Sequence, residues 1–193
     1  MRKVVVSEFV SLDGVMEDPG GAEKSKHGAW TMQYWNDEIG KFKLEELFAS
    51  DALLLGRVTY QGFAAAWPSR TDEQGFAQWM NSIPKYVVST TLKQLDWNNS
   101  RLIKGNLSDE ISKLKQQSGK NILVNGSATL VHTLMQHDLI DEYRLLVYPI
   151  VLGSGKRLFK DSKNAKLRLA ETRTFPSGVV LLQYHPMRGS IQK

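Results

Sequence analysis

The feature that most narrows the fold is an alternation. Short apolar runs rich in branched residues recur along the chain: "KVVVSEFVS" (3–11), "ALLLG" (52–56), "PKYVVST" (84–90) and "NILVNG" (121–126). Between them lie segments whose apolar residues recur at helical spacing. Runs so short and so apolar suit strands buried on both faces, and parallel strands need helical crossovers to join them. In "DEIGKFKLEELFAS" (37–50), Ile39, Phe42, Leu44, Leu47 and Phe48 fall roughly on one helical face, with Asp37 and Glu38 in the first turn, where negative charge is favoured. Further helices are predicted at about Thr59 to Ala66, at 76–83, at 106–119 with Ser108 as N-cap and Gly119 as stop, and at 127–138. The last third changes character. "DEYRLLVYPIVLG" (141–153), "LRLAETRTF" (167–175) and "GVVLLQYHP" (178–186) read as strands with no helix between them. The chain is therefore expected to be one α/β domain, a mainly parallel central sheet flanked by helices with a C-terminal antiparallel hairpin.

Composition excludes several classes. The 193 residues suffice for one well-buried core, and 41% hydrophobic against 23% charged is globular rather than disordered. Twenty-five Lys and Arg against 20 Asp and Glu give a net charge of +5. The excess is densest in "RLFKDSKNAKLRLAETR" (157–173), which reads as a solvated basic face or an attractor for a phosphorylated ligand. No helix gathers Lys and Arg on one side, so nucleic acid is not the expected partner. With no cysteine there is neither a disulfide nor a thiolate metal site. His132 and His137 are five apart, on different faces of a helix, so no metal site is expected. No stretch reaches membrane-spanning length, and "MRKVVVSEF" is too short in apolar residues for a secretory leader. The expectation is a soluble, cytoplasmic protein with no membrane partner.

Three strand ends share one chemistry. "ALLL" runs into Gly56, Arg57, Val58 and Thr59; "YVV" into Ser89, Thr90 and Thr91; "ILVN" into Gly126, Ser127, Ala128 and Thr129. In open α/β sheets ligands bind beyond the carboxyl ends of the strands, where helix N-termini offer free N–H groups to phosphate. Glycine permits close approach of backbone, hydroxyls both donate and accept, and arginine pairs with a phosphate dianion. Taken singly, each has a plainer reading: a glycine turn with a serine cap at 126–127, a surface salt bridge for Arg57.

At this point the chain resembles a known family. "FKLEELFASDALLLGRVTYQGF", "PKYVVSTT", "ILVNGSATLVHTLM" and "LIDEYRLLVYPIVLGSGKRLF" look like the dihydrofolate reductase superfamily. They are most similar to its branch containing the C-terminal reductase domain of the bifunctional riboflavin-biosynthesis protein. The resemblance implies a dihydrofolate-reductase-like fold and NADPH as cofactor. Arg57 with Ser89, Thr90 and Thr91 would then hold the adenosine 2′-phosphate end, and Gly56 would let the cofactor lie against the backbone. Thr59 with Gly126, Ser127, Ala128, Thr129 and Leu130 would cradle the pyrophosphate. It further implies an NADPH-dependent reductase acting on a small heterocycle, a pterin or a 5-amino-6-(5-phosphoribosylamino)uracil type of compound. The competing reading is a non-catalytic NADPH-binding sensor or interaction protein. The family's folate-gripping carboxylate would fall at about Gly40, one turn after Asp37 and Glu38, which points away from dihydrofolate itself. The zinc deaminase that accompanies riboflavin-pathway reductases needs cysteine ligands and is absent.

Asp13, Glu17 and Asp37 are the candidate acids; the alternatives are a turn residue for Asp13 and a helix-start charge for Asp37. "LGSGKRLF" is neither a P-loop nor a complete dinucleotide fingerprint, because Arg157 stands where Ser or Thr is needed and Leu158 where the third glycine would be. Gly153, Ser154 and Gly155 are read as a tight turn near the site that contributes to substrate binding. The loop from Glu17 to Asn36 carries Trp30 and Trp35, which either stack on a flat substrate or cover the core. Its glycines suggest a mobile lid. The long apolar final strands, and the habit of the family it resembles, suggest a homodimer.

Overall fold

In the computed structural model, which describes residues 1–159 and 164–187, the expected alternation is present. The elements are β1 (Val4–Ser11), α1 (Asp37–Phe48), β2 (Ser50–Gly56), α2 (Arg57–Ala66), α3 (Phe76–Ser82), β3 (Lys85–Val88), β4 (Ser100–Ile103), α4 (Leu107–Gln116), β5 (Asn121–Val124), α5 (Ala128–Gln136), β6 (Glu142–Tyr148), β7 (Leu167–Thr174) and β8 (Val180–Pro186). They form an eight-stranded sheet in the order β4-β3-β2-β5-β1-β6-β8-β7. From β4 to β6 every pairing is parallel; β8 runs antiparallel to β6, and β7 antiparallel to β8. The fold is thus α/β with a C-terminal antiparallel hairpin, as the residue pattern and the resemblance both imply.

β1 lies near the middle of the sheet, and its alternation serves two layers. Val4, Val6 and Val10 face α4 and α5 and pack with Ile111, Leu114, Leu130, Val131 and Leu134. Val5 faces the opposite layer with Leu47, Leu53, Leu55 and Met80. Beside it, Phe9 borders a third cluster of Trp30, Ile39, Leu146, Tyr148 and Phe175. Burial of each large apolar side chain stabilises the fold by about 1.5–3 kcal/mol, which is why the sheet needs helices on both sides.

Several expectations are corrected. The segment "SRLI" forms β4, paired in register with β3 from Lys85↔Ser100 to Val88↔Ile103, although nothing in it reads as a buried run. An edge strand needs only one neighbour and one covered face. The N-cap of α4 is Asn106 rather than Ser108: its side-chain oxygen accepts from the amides of Ser108 and Asp109. β6 stops at Tyr148 because Pro149 has no N–H for the ladder. In α1 the inward face includes buried Lys43 and Glu46 beside Ile39 and Leu47, whereas Phe48 is turned toward solvent. Residues 160–163 of the basic run lie outside the described residues. Among the described residues no helix is long and apolar enough to cross a membrane.

Trp30 belongs to this core. It is 4% exposed, its ring meets Tyr148 edge-on at 5.3 Å, and its indole N–H donates to the Glu17 carbonyl at 2.8 Å. Trp30→Ala is expected to lower unfolding free energy by about 3–5 kcal/mol in urea denaturation, as for other buried tryptophans. A loss below 1 kcal/mol, roughly the scale of a surface substitution, would contradict this placement.

Candidate functional site

The sheet order makes the three strand ends singled out in the sequence immediate neighbours, since β3, β2 and β5 are consecutive. Gly56 pairs with Val88, so Arg57 and Ser89 leave the sheet side by side. Arg57 is exposed and donates to the Gln61 side chain at 3.2 Å. The Ser89 hydroxyl accepts from the amides of Thr91 and Leu92, which folds Ser89, Thr90 and Thr91 into a compact turn.

Between β2 and β5 the two corners interlock. A Cβ on Gly56 would come within 2.5 Å of the Ser127 hydroxyl, and a Cβ on Gly126 within 2.8 Å of the Thr59 hydroxyl. Gly126 has φ +68°, and the Gly126–Ser127 peptide is cis. The close approach of Ser127 by itself requires glycine at 56. The Leu130 side chain is buried in the core, and its Cβ lies 3.7 Å from where a Cβ on Gly56 would sit.

The helix starts differ in how they are finished. α1 and α4 are capped by the side chains of Asn36 and Asn106. α2 and α5, which begin at the interlocked corners with Gly56 and Ser127 as N-caps, have no side-chain cap. Their first-turn amides carry the positive end of the helix dipole and lack an intrahelical partner.

Next to the start of α5, the turn after β1 is zipped to residues 156–158. The Met16 amide donates to Lys156, the Leu158 amide to Gly14, and Val15 bridges Arg157. Gly155, at φ +129°, fits because a Cβ would strike Val15. Between this turn and the first turn of α5 lies a cavity of about 350 Å³ lined by Glu17, Ala128, Thr129, His132 and Gly155 to Arg157. The structure thus brings Glu17, Ala128, Thr129 and Gly155 together. Ser154 and Gly155 also border a smaller recess with Glu17 and His27. Glu17 is paired with Lys156 at 3.1 Å, and that hydrogen bond, more than the neighbouring Glu23 charge, raises the Lys156 pKa.

The candidate acids divide. The Asp13 carboxylate accepts from the Leu152 amide at 3.0 Å, the Ser11 hydroxyl at 2.7 Å and the Gly153 amide at 2.9 Å, and faces Arg157 at 3.5 Å. The Leu152 amide first, then the Ser11 hydroxyl, pull its pKa down to about 2. A carboxyl so firmly ionised is no proton donor; Asp13 is the clamp that sets the 152–153 turn. Asp37 is exposed in the first turn of α1 and does not line the cavity.

The two tryptophans divide as well. Trp30 is core, whereas Trp35 is 47% exposed and leans edge-on against Phe9. The loop winds around buried Asp18, whose carboxylate accepts from the amides of Glu23 and Ser25, while its carbonyl accepts from those of Gly21 and Ala29. Thr31 ties the far end to the Pro19 carbonyl. These bonds and the buried indole tie the loop down at Asp18, Thr31 and Trp30.

Sequence reasoning missed a set of buried charges. Glu8, in the middle of β1, accepts from the Gly126 amide at 2.7 Å, and burial raises its pKa to about 8. On the other face of the sheet, Lys43 donates to Ser7 at 2.8 Å and pairs with Glu46, which meets Arg144, which in turn meets Glu142. An acidic residue at an inward position of "VVVSEFVS" is the signal that marks Glu8.

This sheet, parallel from β4 to β6 and closed by an antiparallel hairpin, has the dihydrofolate-reductase-like fold. Enterococcus faecalis dihydrofolate reductase complexed with NADP(H) shares the fold, with a TM-score of 0.59 at 12% identity and 96% of each chain covered. A putative riboflavin biosynthesis protein from Shewanella sp. PV-4 superposes with a TM-score of 0.75 at 24% identity, covering 96% of this chain and 99% of its own. Residues 2–181 match the RibD C-terminal domain, and the chain belongs to that family. The uncharacterised Bacillus subtilis protein YyaP is 34% identical over 188 residues, 95% of each chain.

Asp13→Asn keeps one acceptor oxygen but turns an amide NH₂ toward the Gly153 N–H and Arg157. It is expected to cost about 1–3 kcal/mol at pH 7 in urea unfolding. The stability from a lowered carboxyl pKa is present above the ordinary value of 3.8 and is lost as pH falls through about 2. The gap between variant and wild type should therefore narrow from pH 4 toward pH 2; a gap unchanged by pH would contradict the clamp.

Proposed function

We propose that the protein is an NADPH-dependent reductase that delivers hydride to a C=N or C=O bond of a small heterocycle. The observation carrying this is the pair of adjacent uncapped helix starts, α2 and α5, at the interlocked ends of β2 and β5. Free amides at two helix dipoles suit a pyrophosphate. Arg57, with Ser89, Thr90 and Thr91 beside it, suits the 2′-phosphate. The cavity beyond Ala128 and Thr129 gives the rest of the cofactor a path toward Glu17. Similarity to a reductase solved with NADP(H) supports the same reading.

When bound, NADPH supplies the hydride. The chain's own part is to hold the cofactor against the strand ends, to exclude water and to deliver a proton. Of the three candidate acids, Glu17 is the one that borders the cavity, so it is assigned the relay of a proton from solvent to the substrate, with Lys156 as its partner. Gly153 and Ser154, set by Asp13, and half-exposed Trp35 are assigned to the substrate side. A pterin or a ribosylamino-pyrimidine phosphate is the substrate class proposed. Gly40 lies against the Trp35 indole, with no carboxylate at that point of α1, which favours the second over folate-type recognition.

The scarcity of proton donors, with Asp13 held ionised and Asp37 outside the cavity, favours one alternative, an NADPH-binding sensor. Titration with both nicotinamide cofactors and turnover assays on pterins, ribosylamino-pyrimidine phosphates and simple carbonyls separate the two. We expect NADPH to bind more tightly than NADH, and Arg57→Ala to weaken NADPH by about ten- to a hundredfold, the scale of a charge-assisted hydrogen bond, while NADH is little affected. Equal affinities would remove Arg57 from the site; tight NADPH binding without any turnover would favour the sensor.

We also propose a homodimer. β7 is an edge strand with a mostly exposed burial pattern, and Leu169 on it is 47% exposed. Such an edge is open to pairing with a second copy. Light scattering at micromolar concentration should give twice the chain mass; a monomer would refute the assembly.

A further inference from the structure

Glu8 is a carboxyl where the chain tolerates one least. β1 is buried on both faces, Glu8 is 6% exposed, and among the described residues no ion pair involves it. Its carboxyl accepts from the Gly126 amide, at the head of the interlocked corner. That bond holds the Gly126 N–H inward. Gly126 in turn admits the Thr59 hydroxyl, and the next residue, Ser127, lies against Gly56. Glu8 therefore anchors the piece of backbone on which both uncapped helix starts depend.

We propose that Glu8 is the positioning residue of this phosphate cradle and that its neutral form is the one that admits an anionic cofactor. The proposal rests on the reading of the α2 and α5 starts as the cofactor's phosphate site. A neutral carboxyl still accepts from Gly126 through its carbonyl oxygen, so the corner keeps its shape. An ionised one adds negative charge at the Gly126 amide, two residues before the start of α5, whose amides must face phosphate. Protonation of Glu8 and cofactor binding are then linked: each favours the other, and NADPH binding takes up a proton where free Glu8 titrates. Burial places that titration near pH 8.

Other charged groups face the same region. α1 contributes Lys43, which favours ionised Glu8, and Glu46, which opposes it. From β6 comes Tyr143, whose phenol burial pushes upward. α5 contributes His132, with Nε2 2.7 Å from the Leu158 carbonyl oxygen. The turn after β6 contributes Lys156, held by Glu17 and Glu23, and Arg157, held by Asp13. All of these remain in Glu8→Gln, so that variant isolates the Glu8 proton from theirs and from the cofactor's own phosphates.

The test is calorimetric titration of the full chain with NADPH from pH 6.5 to 9.5, in buffers of different ionisation enthalpy. The wild type, Glu8→Gln and Glu8→Ala are compared, with thermal melts by circular dichroism confirming folding. Wild-type affinity should fall by about tenfold per pH unit at most as pH rises through the titration, with proton uptake on binding. Glu8→Gln, which keeps the acceptor and loses the proton, should lack that fall and bind better than wild type at pH 9. Glu8→Ala, if folded, should bind at least about tenfold more weakly at every pH, because the Gly126 amide loses its partner. Identical pH profiles and proton uptake in wild type and Glu8→Gln would overturn the proposal, as would undiminished binding by folded Glu8→Ala. Folded wild type that binds no NADPH would overturn the cofactor reading, and this inference with it.

Discussion

The mutual approach of two strand ends governs this structure. β2 and β5 are parallel neighbours, and at their carboxyl ends each chain enters space that a side chain on the other would fill: Ser127 against Gly56, Thr59 against Gly126. Because the corners interlock, α2 and α5 start side by side at one level of the sheet. Their dipoles add at a single place, and neither Gly56 nor Ser127 caps the amides that result. The rest of the fold holds that corner fixed. β1 runs beside β5 and sends Glu8 to the Gly126 amide; α1 and α4 carry their own asparagine caps and need nothing from outside.

The second half of the site depends on a different bond pattern. Asp13 at the end of β1 reaches across to the amides of residues 152 and 153, and Arg157 returns to Asp13. This clamp places Gly155 and Lys156 opposite Thr129 and leaves the cavity between them. A carboxylate that seemed free to do chemistry is thus spent on shaping the wall, and Glu17, four residues on, is left beside the space.

Much of this was legible in the sequence because it rests on local signals. Strand runs of branched residues, helix spacing and glycine-hydroxyl strand ends gave the sheet, the hairpin and the three neighbouring corners. What was not legible depends on who sits next to whom. "SRLI" has no apolar run, and only β3 makes it a strand. Trp30 and Trp35 look alike in a polar loop; the difference is that Tyr148, a residue of β6, lies under the first. Lys43 and Glu46 look like the polar face of α1 until Ser7 and Arg144 supply partners from two strands. The turn that Asp18 closes by gathering the surrounding amides depends on backbone groups that no residue pattern marks. Glu8 carried a readable signal, a charge at an inward strand position, yet its partner is a backbone amide of β5's far corner, which no pattern announces.

The interlocked starts of α2 and α5 are proposed to receive the phosphates of a nicotinamide cofactor. Backbone-amide NMR during titration with NADPH tests it at the atoms concerned. The largest shifts should fall on Arg57 to Thr59, Ser89 to Thr91 and Ser127 to Leu130, while the capped first turns of α1 and α4 stay still. Shifts centred elsewhere, or none at saturating NADPH, would contradict it.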